Sequence, residues 1–146
     1  MRRRVSITFG LRFGAADPLT TFVFITTHTI NDGELDQIEE LGARFTELVE
    51  ASDTGLLAFH FYVSDDATQV ASVQVHRDAA SMDAYLPVVG DLIGQALELS
   101  RTDRIDVYGT PGPVLHEVLR HNEEQGARVH VMSRHLDGFT HLAAAA

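Results

Sequence analysis

Hydrophobic positions recur along the chain with two periods, and the period switches at each turn signal. Thr21 to Ile30 (TFVFITTHTI) is dense in β-branched and aromatic residues, the composition of a strand. It stops at Asn31-Asp32-Gly33, where Asp32 is placed to cap a helix. Leu35, Ile38, Leu41, Phe45, Leu48 and Val49 then recur at helical spacing, and Glu39, Glu40, Glu47 and Glu50 take the wet face. This helix ends before Gly55. Leu56 to Val63 (LLAFHFYV) and Val70 to Arg77 (VASVQVHR) read as strands joined by an Asp-rich turn, and so as a hairpin. A second helix follows, capped by Asp78 or Ser81, with Met82, Tyr85, Leu86, Val89, Leu92, Ile93, Ala96 and Leu97 as its apolar stripe. Pro87 lies inside it and is expected to kink or break it near Leu86. Thr102 to Gly109 is the fourth strand. After Pro111-Gly112-Pro113, Val114 to Gln125 reads as a short helix stopped by Gly126, and Ala127 to Leu136 as a last strand.

The order β-α-β-β-α-β is that of the α+β, ferredoxin-like split βαβ arrangement: one antiparallel sheet with helices on one face. Residues 21–110 form this domain, 111–146 a helix–strand appendix of it, and 1–20 an N-terminal extension, either a strand or a loose arm. Alternation sets Leu57, Phe59, Phe61, Val63, Ala71, Val73, Val75, Ile105 and Val107 under the helices. The other face then carries Ala58, His60, Tyr62, Ser72, Gln74, His76, Arg104, Asp106 and Tyr108. That face is rich in rings rather than in Glu and Arg. The first strand has lost its alternation, as strands buried on both sides do. The expected cover is a second copy of the chain, making a homodimer through the sheet face. The rival is the C-terminal appendix wrapped across it.

Composition narrows the chemistry. The 146 residues are 45% hydrophobic and 22% charged, as in an ordinary globular protein. There is no cysteine, which excludes disulfides, thiolate metal sites and a Cys nucleophile. All 11 basic side chains are Arg, so Schiff-base chemistry and a P-loop Lys are absent too. The net charge of −10 argues against a grip on nucleic acid or an anionic membrane. Met1-Arg2-Arg3-Arg4 before an apolar run has the outline of a signal peptide, but Gly10 and Arg12 interrupt it. A soluble cytoplasmic protein is expected.

The strand and helix FVFITTHTINDGELDQIEELGARF, the hairpin segment LLAFHFYVSDDATQVASVQVHRDAASMDAYL and the ending RIDVYGTP resemble the dimeric α/β-barrel superfamily, the group that includes the antibiotic biosynthesis monooxygenases. The likeness covers roughly residues 21 to 110, and the C-terminal VLHEVLRHNEEQGARVHVMSRHLDGFTHL is similar to the appendix of an actinobacterial branch. The resemblance implies a dimer with a small-molecule pocket between each sheet and its helices. It also implies one of several activities: cofactor-free oxygenation of polyphenols, haem degradation, isomerisation or simple ligand binding. Haem-degrading members use an Asn–Trp–His constellation, and well-known quinone-forming members have a pocket Trp. This chain has no Trp, so no catalytic residue transfers by motif.

Candidate residues therefore come from placement. His28, His60 and His76 lie on three strands; a neutral imidazole beside a phenol-like substrate suits general-base work. The reading takes His28 as base, His76 as base or proton relay, and Tyr85 as a positioning phenol. His60, Tyr62, Met82 and Tyr108 are candidate substrate contacts. Against each stands a plainer role: interfacial hydrogen bonding for the histidines and core packing for Met82. No metal is expected, because His28 and His76 should lie at opposite ends of the sheet and no HExxH motif occurs. No cofactor is expected either. Gly90 and Gly94 form a GxxxG that suits close helix packing. The function expected is cofactor-independent oxygenation or isomerisation of a small aromatic or polyketide-type molecule. The alternative is a non-catalytic dimeric module for a small ligand or a partner.

Overall fold

The computed structural model describes residues 21–141, so the extension expected at 1–20 lies outside the described residues. The chain runs β1 (Phe22–Ile30), α1 (Leu35–Glu50), β2 (Leu56–Val63), β3 (Gln69–His76), α2 (Ala79–Leu99), β4 (Ser100–Tyr108), α3 (Pro113–Glu124) and β5 (Arg128–Met132). The sheet order is β2-β3-β1-β4-β5. The first four strands pair antiparallel, which is the split βαβ arrangement, and β5 extends the sheet by pairing parallel to β4. Among the described residues the appendix therefore lengthens the sheet and does not wrap its open face. Its helix α3 buries Leu115 and Leu119 in the same core as α1 and α2.

That core joins Phe22 and Phe24 of β1, Leu41 and Phe45 of α1, Met82, Val89 and Leu92 of α2, and Ile105 and Val107 of β4. Two local expectations are corrected. Helix α1 has Glu34 at its N-cap position and no side-chain cap, so Asp32 does not cap it. Helix α2 runs unbroken through Pro87. Proline removes one bond to the carbonyl four residues back. Met82, Tyr85 and Leu86 on one side of it and Val89 and Leu92 on the other are all buried, and this packing holds both halves in line. The Asp78 carboxylate does cap α2, accepting the Ser81 N–H at 2.8 Å.

The larger correction concerns β3. Tyr62 stands opposite Ala71, and Phe61 and Phe59 stand opposite Ser72 and Gln74. Ser72, Gln74 and His76 thus lie under the helices, all buried. Ala71, Val73 and Val75 turn to the open face with His60 and Tyr62. Leu57, expected under the helices, sits at an irregularity in β2 between Leu56 and Ala58 and is exposed. A one-residue slip exchanges the two faces of a strand. Burying the polar set is tolerable because each member is hydrogen-bonded: Ser72 to Thr26, Gln74 to Tyr85 and His76 to Ser81.

Candidate functional site

The helix layer leaves a gap over the middle of the sheet. There a cavity of about 570 Å³ opens, within the range of small-molecule sites. Phe24, Phe45, Phe59, Phe61, Leu86 and Ile105 make most of it apolar. Thr26, His28, Ser72, Gln74, Tyr85 and Thr102 supply polar groups. Five of these six come from the helix-facing sides of β1, β3 and β4, and Tyr85 comes from α2. They form two hydrogen-bonded chains.

The first chain crosses three strands. Ser72 Oγ lies 2.7 Å from Thr26 Oγ1, Thr26 Oγ1 lies 3.0 Å from His28 Nε2, and His28 Nδ1 lies 3.1 Å from Thr102 Oγ1. The register makes this contact: pairing shifts between Thr27 and His28, so His28 faces Thr102 and Asp103 is left over. The Asp103 carboxylate takes the Thr29 hydroxyl at 2.5 Å and the Arg101 Nε at 3.2 Å. Burial lowers the His28 pKa, opposed in part by the charge of Asp103. A neutral imidazole has one N–H and one lone pair, so one of its hydroxyl neighbours accepts from it and the other donates to it.

The second chain starts at Tyr85. Gln74 Nε2 donates to the Tyr85 oxygen at 3.2 Å, and Gln74 Oε1 accepts from His76 Nε2 at 3.0 Å. His76 Nδ1 is then the acceptor for the Ser81 hydroxyl at 2.9 Å. Desolvation pushes His76 down to about 4 against a smaller opposing effect of Asp78, so the ring is neutral at physiological pH. Burial pushes the Tyr85 phenol up, against a smaller lowering by its Gln74 hydrogen bond. Tyr85 therefore stays protonated, and its oxygen already accepts from Gln74. Its own proton is left to be donated to a guest.

The seven residues singled out from sequence separate by location. His28 and Tyr85 line the cavity, whereas His76 sits behind it and acts on it through Gln74. Met82 is wholly buried in the core and outside the lining. His60 borders the cavity, but its ring lies toward Tyr62 on the open face. Tyr62 and Tyr108 are on that open face, 60% and 41% exposed. The sequence reading missed Thr26, Ser72, Gln74 and Thr102 as polar wall. Thr26 and His28, which share the parity of the buried Phe22 and Phe24 on the central strand, were the available signal. Among the described residues no group of three or more His, Asp or Glu side chains is arranged to hold a metal ion, and no helix is long and apolar enough to cross a membrane.

No protein-family model matches the sequence, and no curated protein matches it. Solved structures do resemble the fold. MupZ from Pseudomonas fluorescens superposes with a TM-score of 0.63 at 20% identity, covering 84% of this chain and 98% of that one. SnoaB, a cofactor-independent oxygenase from Streptomyces nogalater solved as a mutant, gives 0.55 at 14% identity over 64% of this chain and 96% of its own. An antibiotic biosynthesis monooxygenase gives 0.55 at 15% identity over 62% and 99%. The fold is thus the ferredoxin-like one of antibiotic-monooxygenase-like proteins. The share matched by MupZ exceeds the residues that precede α3, so that likeness runs into the appendix.

Proposed function

We propose that the chain is a cytoplasmic, homodimeric enzyme that oxygenates or isomerises a small aromatic or polyketide-type molecule without a metal or organic cofactor. The observation that carries this reading is a small-molecule cavity whose apolar walls hold a proton-donating phenol and a neutral imidazole. Tyr85 positions the substrate by donating to its oxygen. His28 is the base, receiving the substrate's proton directly or through the hydroxyls of Ser72–Thr26 or Thr102. His76 is a positioning residue, because it fixes the Gln74 amide that sets the Tyr85 hydroxyl. In oxygenation, a deprotonated dihydroxyarene passes one electron to O₂. The two radicals join at a ring carbon as a peroxide anion, which takes back the proton held by His28 to give a hydroperoxide, and loss of water from that C–H carbon leaves a quinone carbonyl. The fold of SnoaB, a cofactor-independent oxygenase, supports this class of reaction.

A second reading, a dimeric module that binds a ligand without turnover, draws on one fact: both ring nitrogens of His28 and of His76 are already bonded within the protein. One experiment separates the two. Polyphenols are screened for thermal stabilisation of the chain, and oxygen uptake is then followed on the hits. Turnover is expected, falling by about 100-fold or more in His28→Gln for loss of a general base. Tyr85→Phe should raise KM and lower kcat, together by roughly tenfold in kcat/KM, for loss of one ordinary hydrogen bond. Ligand binding with no oxygen uptake and no isomer formed leaves the module. No stabilising ligand at all removes the enzyme reading.

A further inference from the structure

A second space adjoins the cavity. A groove of about 820 Å³ runs between α2, β4 and α3. Ile93, Leu97, Val118 and Thr102 line both spaces, so no more than one layer of side chains divides them. Thr102 is also the hydroxyl that bonds His28, which places the proposed base beside the junction. Residues of the groove alone include Gly90, Arg101, His121 and Gln125.

Gly90 is the informative one. It sits in the middle of α2, where glycine costs about 1 kcal/mol relative to alanine. The GxxxG pattern suggested close helix packing, and the structure corrects this. A Cβ at Gly90 or Gly94 would meet nothing within 4 Å. Packing therefore does not demand glycine at 90. Its missing side chain instead leaves the groove open next to the cavity.

We propose that the guest of this site is an elongated, chain-bearing molecule. A hydroxylated head lies against Tyr85. An aliphatic chain passes Ile93, Leu97 and Val118 into the groove over Gly90, beneath α3. The chain meets apolar side chains at the junction, and His121 and Gln125 in the groove suit a polar group along or at the end of it. This inference rests on the cavity being a ligand site, and it adds the shape and length of the ligand.

The test compares 4-methylresorcinol with 4-hexylresorcinol by calorimetric titration of the full chain. The two share a head and differ only in chain length. Each fully buried methylene strengthens binding by about fourfold, so burial of two of the five extra methylenes already makes the hexyl compound bind the wild type at least about tenfold tighter. Gly90→Phe, whose ring would occupy the groove, should reduce that ratio to about twofold or less with no fall in thermal midpoint, whereas Gly90→Ala should keep it. If Gly90→Phe does not fold, Gly90→Leu takes its place with the same expectation. Equal affinity of the wild type for both compounds overturns the elongated guest and leaves the cavity reading standing. A ratio unchanged by filling the groove overturns the route past Gly90. Failure of both compounds to bind the wild type overturns the elongated guest together with the phenolic head it was built on.

Discussion

His76 shows what a single buried side chain does to the whole protein. It is fully enclosed, and both its ring nitrogens are spent on Ser81 and Gln74. With a folded pKa of about 4 against 6.5, the unfolded chain binds the extra proton first as pH falls. Stability is therefore complete above about pH 6.5 and is lost progressively toward pH 4. The loss should reach roughly 2 kcal/mol by pH 5. His28, also lowered by burial, adds loss of the same sign. The lowered carboxylates of Asp66, Asp103 and Glu117 act only at more acidic pH, so this window belongs to the histidines. Urea unfolding at pH 7 and pH 5 checks it: the wild type should weaken and His76→Gln should weaken much less. Equal slopes would mean His76 does not titrate on unfolding. Gly109 is a second residue whose role is steric. It has φ +128°, and a Cβ there would lie 2.6 Å from the Phe22 ring. Gly109→Ala should cost about 1–3 kcal/mol, read as a lower denaturation midpoint.

At the level of elements, α3 is held at its start by one carboxylate from a neighbouring helix. Asp83 of α2 accepts the Leu115 N–H at 2.9 Å and the Val114 N–H at 3.4 Å. Gly112 makes room for it, since a Cβ there would fall 2.2 Å from Asp83 Oδ2. Asp83→Ala leaves two donors at the helix N-terminus unpaired and should cost about 1 kcal/mol. Amide exchange should rise in α3 while β1 and β4 stay protected; uniform acceleration would show instead that α3 unfolds only with the whole. The elements themselves were legible from periodicity, and β2 falls on Leu56–Val63 as read. The face of β3 was not. Ala71, Val73 and Val75 are more apolar than Ser72, Gln74 and His76, so a hydropathy rule alone puts the first set inside. The outcome depended on hydrogen-bond partners from β1 and α2, which no local pattern displays. The same slip hid part of the site, because Ser72 and Gln74 of the polar wall are residues that the rule had sent to the other face.

At the level of the whole molecule, the slip strengthens the case for a partner. The open side of the sheet now holds Val73 and Val75 together with Val23, Ile25, Ala58, Tyr62 and Tyr108. Charge enters it from the β4 side, where the Arg104–Asp106 pair stands at 2.9 Å and Arg128 of β5 pairs with Arg104. A largely apolar face with one charged pair and the His60 and Tyr62 rings on it suits an interaction surface. The described part of the appendix does not cover it, since β5 lengthens the sheet and α3 packs on the far side. A second copy fits, because a two-fold contact needs one self-complementary patch. Light scattering at micromolar concentration should then give about twice the 16.0 kDa of one chain. Val73→Glu places a charge opposite Ile25 in the middle of that face, where burial in a dimer would leave it unpaired. It should return the mass to that of one chain while the thermal transition of the monomer persists. A wild type that stays at 16.0 kDa would remove the dimer and leave the apolar face without a purpose, while the cavity on the other side of the sheet, built wholly within one chain, would keep its chemistry.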